Sequence, residues 1–444
     1  MEDILEKIMK KAEKKGVEAE IFFARREITD CSFENNVLNE FGTGVSKGVG
    51  IRIIHRNRLG FSSTNTMTER SLEKSLNRAI ALAKINRENP FIGFAEAGKD
   101  YTNDFLDPKV SSLPYDYFVE NARDMLDNTQ DIIKKMGIDA IISGGLVRGV
   151  GRIRILNTLG LDVQYEKSLL KKGIGGKATN PPSLECGISE CQAKGIGKPT
   201  EELSDQFVDI LTKSLKPEKV SRINGSVLFH PDSFVQVLSY TLEPAINGEN
   251  VYRGRSFLAN LLNEKIGSEK LQIYDWGNFG PLFNSHPYDG EGIPTRKNEI
   301  IKNGILKSFI YDIEWGNRTE NGSTGNAQRS YNAVPIIALD SFFIPSTTKG
   351  PLRTQLDSGW YIRDISGAHT SNSVTGSFGV AVTQAYRIKR GEIEKPVYGA
   401  TIADNCINLM KSVQEVDSDI ENFQLSGGSV AVHSGKILTE IQGP

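Results

Sequence analysis

The chain has 444 residues, 38% of them apolar and 24% charged, and 53 basic against 55 acidic residues give a formal net charge of −2. This balance is typical of soluble globular proteins and lacks the basic excess of a nucleic-acid-binding domain. No apolar run reaches the ~18 residues of a membrane span, and the acidic start is unlike a signal peptide. Four scattered cysteines are too few for a disulfide framework. We therefore expect a reduced, cytoplasmic protein that binds neither nucleic acid nor membrane.

The first two hundred residues alternate helical and strand patterns. Apolar residues at helical spacing predict helices around 5–12, 69–83, 115–135 and 203–211. Runs with strand character predict strands at 19–29, 31–40, 140–146 and 152–165, and a pair of strands within 49–63 that turns near Asn57. These elements predict an α/β unit in which helices cover a mixed or antiparallel sheet.

A polar stretch at 212–222, interrupted by Pro217, predicts a domain boundary. We place an N-terminal α/β domain at residues 1–215 and a C-terminal β-rich domain, sandwich or barrel-like, at residues 216–444. The fold class is therefore α+β.

The second half has one strong helical pattern and many short strand patterns. The helix is predicted at 232–245, with Asp232 or Ser233 as its N-terminal cap after Pro231. Three dipeptides between strand patterns predict tight turns: Asn303-Gly304, Arg390-Gly391 and Ser434-Gly435.

Metal chemistry has little support in the residue spacing. The five histidines lie far apart, and neither an HExxH or HExxxH helix nor a CxxC pair is present. One loop, HPYDGEGIPTR at 286–296, carries His286, Asp289 and Glu291 close together. These side chains suit a metal or acid–base site. They also suit a tight turn whose carboxylates bind backbone donors or Arg296.

Several ordered motifs carry a family resemblance. They are GVGIRIIHRNRLGFSSTN (48–65), VLFHPDSFVQVL (227–238), AINGENVYRGRSFL (245–258), YDGEGIPTR (288–296), IIKNGILKSFIYD (300–312), STGNAQR (323–329), VTGSFGVAV (374–382) and GEIEKPVYGATIADN (391–405). With these motifs in this order, the chain resembles the TldD/PmbA family, once called modulators of DNA gyrase and now regarded as metalloproteases.

The resemblance implies a branch of that family. The TldD branch carries an HExxxH helix and a late cysteine that bind a catalytic metal, whereas the PmbA branch, also called TldE, lacks them. At the corresponding positions this chain has Ser239 and Pro244 in place of the histidines and Tyr240 in place of the glutamate. The late-cysteine region falls near 427–429, which contains no cysteine, and Cys406 lies about twenty residues earlier.

The resemblance therefore implies a PmbA/TldE-like subunit with no metal and no catalytic residue of its own. A TldD-type partner would carry zinc or a similar metal and cut peptides or small unfolded proteins. In isolation we expect a homodimer. Seven residues of the shared motifs are candidates for a substrate cleft or subunit interface, or for turns that stabilise the fold: Arg253, Ser256, Glu291, Thr324, Asn326, Thr375 and Phe378.

Two other functions remain open from the sequence. The chain could be a self-sufficient peptidase with a non-standard site at His286, Asp289 and Glu291. It could also be a peptide-binding or assembly module that has no protease partner.

Overall fold

A computed structural model describes residues 2–98, 105–280, 282–426, 428 and 430–441. The first half contains a six-stranded sheet in the order β3-β2-β1-β4-β5-β6, and every neighbouring pair is antiparallel. Its strands are β1 (Glu18–Glu34), β2 (Val37–His55), β3 (Arg58–Thr64), β4 (Asp139–Asn157), β5 (Asp162–Asn180) and β6 (Cys186–Gln192). Its helices are α1 (Glu2–Lys14), α2 (Glu69–Ile85), α3 (Pro108–Ser111), α4 (Tyr115–Lys135) and α5 (Thr200–Lys213).

The helices cover one face of this sheet, because their apolar stripes match the alternating apolar residues of the strands. One apolar cluster joins α1 and α2 to β1 and β2, and a second joins α4 and α5 to β1, β4 and β5. The other face contacts the second half of the chain, where Phe22 and Ile155 pack with Tyr288 and Ile313. The sheet therefore lies between its own helices and the second half.

The predicted helices are confirmed, but the predicted strands are too short. β1 continues through the expected break after Thr29 and turns only at Asn35 and Asn36, which both have positive φ. Asparagine tolerates this left-handed conformation better than most residues. β4 and β5 also run unbroken for 19 residues each. The predicted break between 146 and 152 is therefore wrong.

The described residues of the second half form three sheets. An eight-stranded sheet has the order β19-β22-β8-β15-β16-β17-β7, with β18 paired to β16; a six-stranded sheet has the order β11-β10-β9-β14-β21-β20; and β12 pairs with β13. The strands are β7 (Glu218–Lys219), β8 (Gly225–Phe229), β9 (Ile273–Trp276), β10 (Lys297–Lys302), β11 (Ile305–Leu306), β12 (Ala327–Gln328), β13 (Ile336–Ile337), β14 (Ser341–Ile344), β15 (Ser358–Ser366), β16 (Ser377–Lys389), β17 (Glu392–Tyr398), β18 (Thr401–Asn405), β19 (Val413–Val416), β20 (Glu421–Gln424), β21 (Ala431–Ser434) and β22 (Ile437–Ile441).

In the described part of this half, four α-helices accompany these sheets: α6 (Pro231–Ile246), α7 (Gly248–Tyr252), α8 (Ile313–Arg318) and α9 (Cys406–Lys411). The inner face of α6 lies in the largest apolar cluster of the described residues. The cap of α6 is His230, whose Nδ1 accepts from the N–H of Asp232 at 3.2 Å. The expectation of Asp232 or Ser233 as the cap is wrong, because Pro231 takes the first helical position and leaves the residue before it as the cap.

Two of the three predicted hairpin turns are confirmed. Asn303-Gly304 connects β10 to β11, and Arg390-Gly391 connects β16 to β17. Ser434-Gly435 is not a hairpin, because β21 pairs within the six-stranded sheet while β22 pairs within the eight-stranded sheet.

The α+β class is confirmed, and the boundary at 215/216 stays a prediction. Across the part of the chain that the structure describes, no helix is both long enough and apolar enough to cross a bilayer.

Candidate functional site

The outer face of α6 carries the three positions that the family resemblance assigns to metal ligands, and that assignment stays a prediction. Ser239 donates its hydroxyl to the carbonyl of Gln236 at 3.0 Å. Tyr240 is 38% exposed and meets His369 edge-on, with ring centroids 6.4 Å apart. Pro244 lies in the last turn of the helix, and its carbonyl accepts from Asn250 at 2.9 Å.

These three side chains do not fit a zinc ion. Zinc in proteins is held by histidine nitrogen, cysteine sulfur or carboxylate oxygen, and serine, tyrosine and proline offer none of these. Among the described residues there is also no group of three or more His, Cys, Asp or Glu arranged to hold a metal. Positions 427 and 429 of the late-cysteine region lie outside the described residues.

Two ionisable residues near the helix have altered proton affinity. Burial raises the pKa of Glu243 to about 7, and this carboxylate accepts a weak hydrogen bond from the N–H of Leu339 at 3.4 Å. Cys406 lies beside Thr241 on the inner face of α6, and burial raises the pKa of its thiol to about 12. The thiol is therefore protonated at neutral pH, unlike a metal-binding or nucleophilic cysteine.

The carboxylates of the 286–296 loop accept hydrogen bonds from neighbouring parts of the fold. Asp289 accepts from the N–H groups of Glu291 (2.8 Å), Ile293 (3.0 Å) and Ala327 (3.1 Å). Burial and the nearby Glu291 charge raise the pKa of Asp289. Glu291 accepts from Arg52 and from the N–H of Ile313, each at 2.8 Å. The turn interpretation fits these contacts, with Arg52 rather than Arg296 as the charged partner.

His286 is a third buried member of this loop. One ring nitrogen, Nδ1, lies 2.6 Å from the carbonyl of Asn284, and the other, Nε2, lies 3.4 Å from Asp340 Oδ1. Burial lowers the pKa of His286 to about 4, so the ring is neutral at physiological pH.

A buried charge cluster ties the two halves together, and we call it the Arg52 cluster: Glu20, Arg52, Glu291 and Arg329. Arg52 holds both carboxylate oxygens of Glu20 at 2.8 and 2.9 Å and reaches Glu291 with its remaining terminal nitrogen. Glu20 also accepts from Arg329. All four side chains are at most 6% exposed. Sequence reasoning missed this cluster because more than 200 residues separate β1 and β2 from the loops they meet.

A second buried network centres on Asp275. This carboxylate accepts from Asn326 Nδ2 at 2.6 Å and from the N–H groups of Asp340 and Ser341 at 2.9 Å. Asn326 Oδ1 in turn accepts from the Thr324 hydroxyl at 2.7 Å. Burial raises the pKa of Asp275 and of Asp340 to about 7. The structure thus brings two of the candidate residues, Thr324 and Asn326, into direct contact.

Four other candidates lie outside both buried networks. Arg253 is exposed, pairs with Glu249 at 2.8 Å and stacks over Trp315. Ser256 donates to the carbonyl of Ala245 at 2.6 Å, which fixes the end of α6. Thr375 is exposed, and its hydroxyl lies 2.8 Å from that of Ser377. Phe378 is buried in the core of the second half. The roles of all seven residues stay predictions.

Comparison with family models agrees with the fold and the motifs. Residues 224–441 match a model described as the PmbA/TldA metallopeptidase C-terminal domain, and residues 19–83 match the PmbA/TldA metallopeptidase domain 1. The chain belongs to the PmbA/TldD family.

Relatives of known sequence or structure cover almost the whole chain. An uncharacterised protein of Methanocaldococcus jannaschii is 29% identical, over 98% of this chain and 99% of its own. A protein of the same organism named as a metalloprotease is 24% identical, over 96% and 94%. The crystal structure of TldE from Thermococcus kodakarensis superposes with a TM-score of 0.90 at 24% identity, over 98% of each chain. The last comparison shows a shared fold.

Proposed function

We propose that this chain is the PmbA/TldE-like subunit of a TldD/PmbA-type metalloprotease that acts on peptides or small unfolded proteins. The observation that carries the proposal is the outer face of α6, where Ser239, Tyr240 and Pro244 stand at the positions of the metal ligands. A metal-activated water needs a ligand set and a nearby base, and these side chains supply neither. In this proposal zinc or a similar metal belongs to the TldD-type partner.

The buried carboxylates support the same interpretation over a self-sufficient peptidase. Asp289 and Glu291 each hold backbone N–H groups, and Glu291 also holds a buried arginine. A general base needs a free lone pair that faces the substrate. Using either carboxylate in that role would leave donors inside the fold without partners.

The first experiment measures metal content and peptidase activity of the purified chain. After dialysis against excess zinc we expect less than about 0.1 equivalent of bound metal, since a zinc site needs three or four ligands. We also expect no cleavage of unfolded protein by the chain alone. Near one equivalent of zinc, lost in His286→Ala but kept in a matched His55→Ala control, would overturn the proposal. A melting curve of each variant shows whether it is folded.

The second experiment adds a TldD-type subunit from the same organism. We expect the two chains to copurify, and we expect chelator-sensitive cleavage that stops when the glutamate of the partner's HExxxH helix is replaced. If the two chains do not associate at any concentration tested, the subunit role is wrong and the peptide-binding module becomes the better interpretation.

A further inference from the structure

One lysine of the six-stranded sheet lies where the two halves of the chain meet. Lys167 is half-buried on β5. Two residues before it, the ring of Tyr165 stacks on that of His286. Two residues after it, Leu169 packs against the apolar cluster that contains Leu282. Alternate residues of a strand share a face, so the side chain of Lys167 lies between these two contacts with the second half.

Three polar groups in this region lack hydrogen-bond partners among the described residues. The amine of Lys167 and the hydroxyl of Tyr165 each meet only burial and the charges of nearby groups. Asp340 Oδ2 is buried and has no partner. The charge of Asp340 acts on both other groups, so all three lie close together. We call Tyr165, Lys167 and Asp340 the Lys167 site. Because buried polar groups are normally paired, this arrangement predicts a polar ligand.

The basic groups at the site favour an anion. Arg26 of β1 faces Gly151 of β4, and Gly151 faces Lys167 of β5. The Cα atoms of Arg26 and Lys167 are therefore about 10 Å apart, two strand spacings, with no side chain between them. Burial lowers the pKa of Lys167 to about 8, and the charge of Arg26 adds to this effect. The amine thus still carries its charge at neutral pH.

A carboxylate fits these charges better than a dianion does. Burial raises the pKa of Asp340 to about 7, so near neutral pH about half of this carboxyl is protonated. A protonated carboxyl donates a hydrogen bond to an anion, whereas the ionised form repels it. One negative charge therefore balances most of the charge of Arg26 and Lys167. A phosphate dianion would meet stronger repulsion from the ionised fraction of Asp340.

Glycines beside the site leave room for a peptide backbone. A Cβ atom at Gly151 would contact only Lys167 Cγ at 3.7 Å and the carbonyl oxygen of Arg25 at 4.0 Å. Gly44 lies on the same face of the sheet, opposite Ile28, and a Cβ atom there would meet nothing within 4 Å. Neither glycine has a positive φ. Since neither packing nor backbone conformation requires glycine here, these positions suit the close approach of another backbone.

We propose that the Lys167 site binds the C-terminal carboxylate of an extended peptide. Lys167 and Tyr165 donate hydrogen bonds to the carboxylate, Arg26 lies at the entrance of the site, and the peptide backbone lies over Gly151. The anion chemistry follows from the site itself, whereas the choice of a peptide as its source rests on the proposed function. In the assembly this chain would hold one end of the substrate that the partner subunit cuts.

Chemical labelling of lysines, read by mass spectrometry, tests the site in the full-length chain alone. A trace of acetic anhydride at about pH 8, the pKa of Lys167, labels each lysine according to its accessibility and charge. Acetyl-trialanine with a free C-terminal carboxylate should protect Lys167, and the protection should saturate with concentration. The same peptide with a C-terminal amide should not protect it. Lys177 is the internal control, because it is exposed on the same strand.

Acetate and inorganic phosphate separate the possible sources of the anion. Acetate should protect Lys167 only at much higher concentration than the peptide, because it makes no contact with the glycine positions. Equal protection by acetate would overturn the peptide as the source, and stronger protection by phosphate would overturn the carboxylate. If Lys167 were not labelled at all, or if no anion protected it, the site itself would be refuted.

Two variants test the same binding by calorimetry. Lys167→Met keeps the length of the side chain and should weaken binding of the free-acid peptide about tenfold or more, because it removes a charged hydrogen-bond donor. Lys177→Met should bind like the wild type. A melting curve shows whether each variant is folded, and if Lys167→Met is not, Arg26→Gln on the exposed side of the site should still weaken binding. Wild-type affinity in a folded Lys167→Met variant would overturn the proposal.

These measurements separate this inference from the proposed function. A chain that binds the peptide through Lys167 but never associates with a TldD-type subunit would retain the site and refute the subunit role. A chain that associates with such a subunit but gives no protection of Lys167 would refute the site and retain the subunit role.

Discussion

The outer face of α6 and the Arg52 cluster use polar residues in opposite ways. The helix face is only partly exposed, and its side chains make few contacts. The cluster is rich in the charged groups that chemistry needs, yet its carboxylates already hold arginines or backbone donors. A dense group of ionisable residues is therefore evidence for a reactive site only when the lone pairs of its carboxylates are free.

The two regions should also differ in how much their side chains contribute to the stability of the fold. Removing one member of a buried ion pair leaves the other charge unpaired in a low-dielectric interior. Removing a side chain from an exposed helix face leaves nothing unpaired. We therefore expect large stability losses in the cluster and small losses on the helix.

The largest effect should come from Arg52→Ala. This change leaves Glu20 and Glu291 buried with reduced charge compensation, and loss of one partner of a buried pair costs about 3–5 kcal/mol. We expect that loss in the free energy of unfolding, measured by urea denaturation near neutral pH. Arg58→Ala is the control, because its pair with Glu88 is partly exposed and 3.8 Å long. A loss below about 1 kcal/mol, the range of surface pairs, would contradict a structural role for the cluster.

The next largest loss of stability should come from a change in the Asp275 network. Asn326 is fully buried and bonds Asp275, Thr324 and Asn298. Asn326→Ala leaves buried polar groups without partners, at about 1–3 kcal/mol for an unsatisfied group. We expect a loss of about 2 kcal/mol in the same measurement. The exposed Asn408→Ala should change stability by less than about 0.5 kcal/mol. Equal losses in both variants would refute the network.

Asp340 should give a pH-dependent effect of comparable size. Its pKa is raised from 3.8 to about 7, chiefly by burial. The folded state therefore keeps a proton that the unfolded state releases, and the stability from this group is lost as pH rises from about 4 to 7. Between pH 5 and 8 the contribution is on the order of 2 kcal/mol.

Comparison with Asp340→Asn isolates that contribution, since an amide does not titrate. Unfolding free energies of the two proteins at pH 5 and pH 8 should show that the variant loses less stability on going to pH 8. A difference between the proteins that stays constant across this range would mean that Asp340 does not titrate there.

The sequence predicted the helices well and the strand ends poorly. The stripe at 115–135 matches α4 to the residue, because helical periodicity over six turns is a strong signal. The break predicted between residues 146 and 152 contains Gly149 and Gly151, and glycine weakens strands in general. In this fold neighbouring strands on both sides hold that segment in place. Such long-range pairing leaves no trace in local composition.

In the candidate site, too, local motifs were informative and long-range contacts could not be predicted. Local motifs identified the 288–296 and 323–329 loops, which do meet where Asp289 accepts from Ala327. The partners of Glu291 could not be found by spacing, because Arg52 lies 239 residues away. Glu20 and Arg329 were missed for the same reason. A short loop can predict that a carboxylate needs a donor, but only the fold determines which donor it meets.

The smallest effect should come from Tyr240→Ala. This variant tests whether the outer face of α6 contributes to the stability of the fold. Tyr240 has one aromatic neighbour and stays 38% exposed, so we expect less than about 0.5 kcal/mol of lost stability. Phe234→Ala is the matched control on the inner face of the same helix, where a fully buried phenylalanine is worth about 3–5 kcal/mol. Urea denaturation of both variants measures the contrast. If Tyr240→Ala destabilised the chain as much as Phe234→Ala, the outer face would be part of the core, and a contact surface for a partner would have to lie elsewhere.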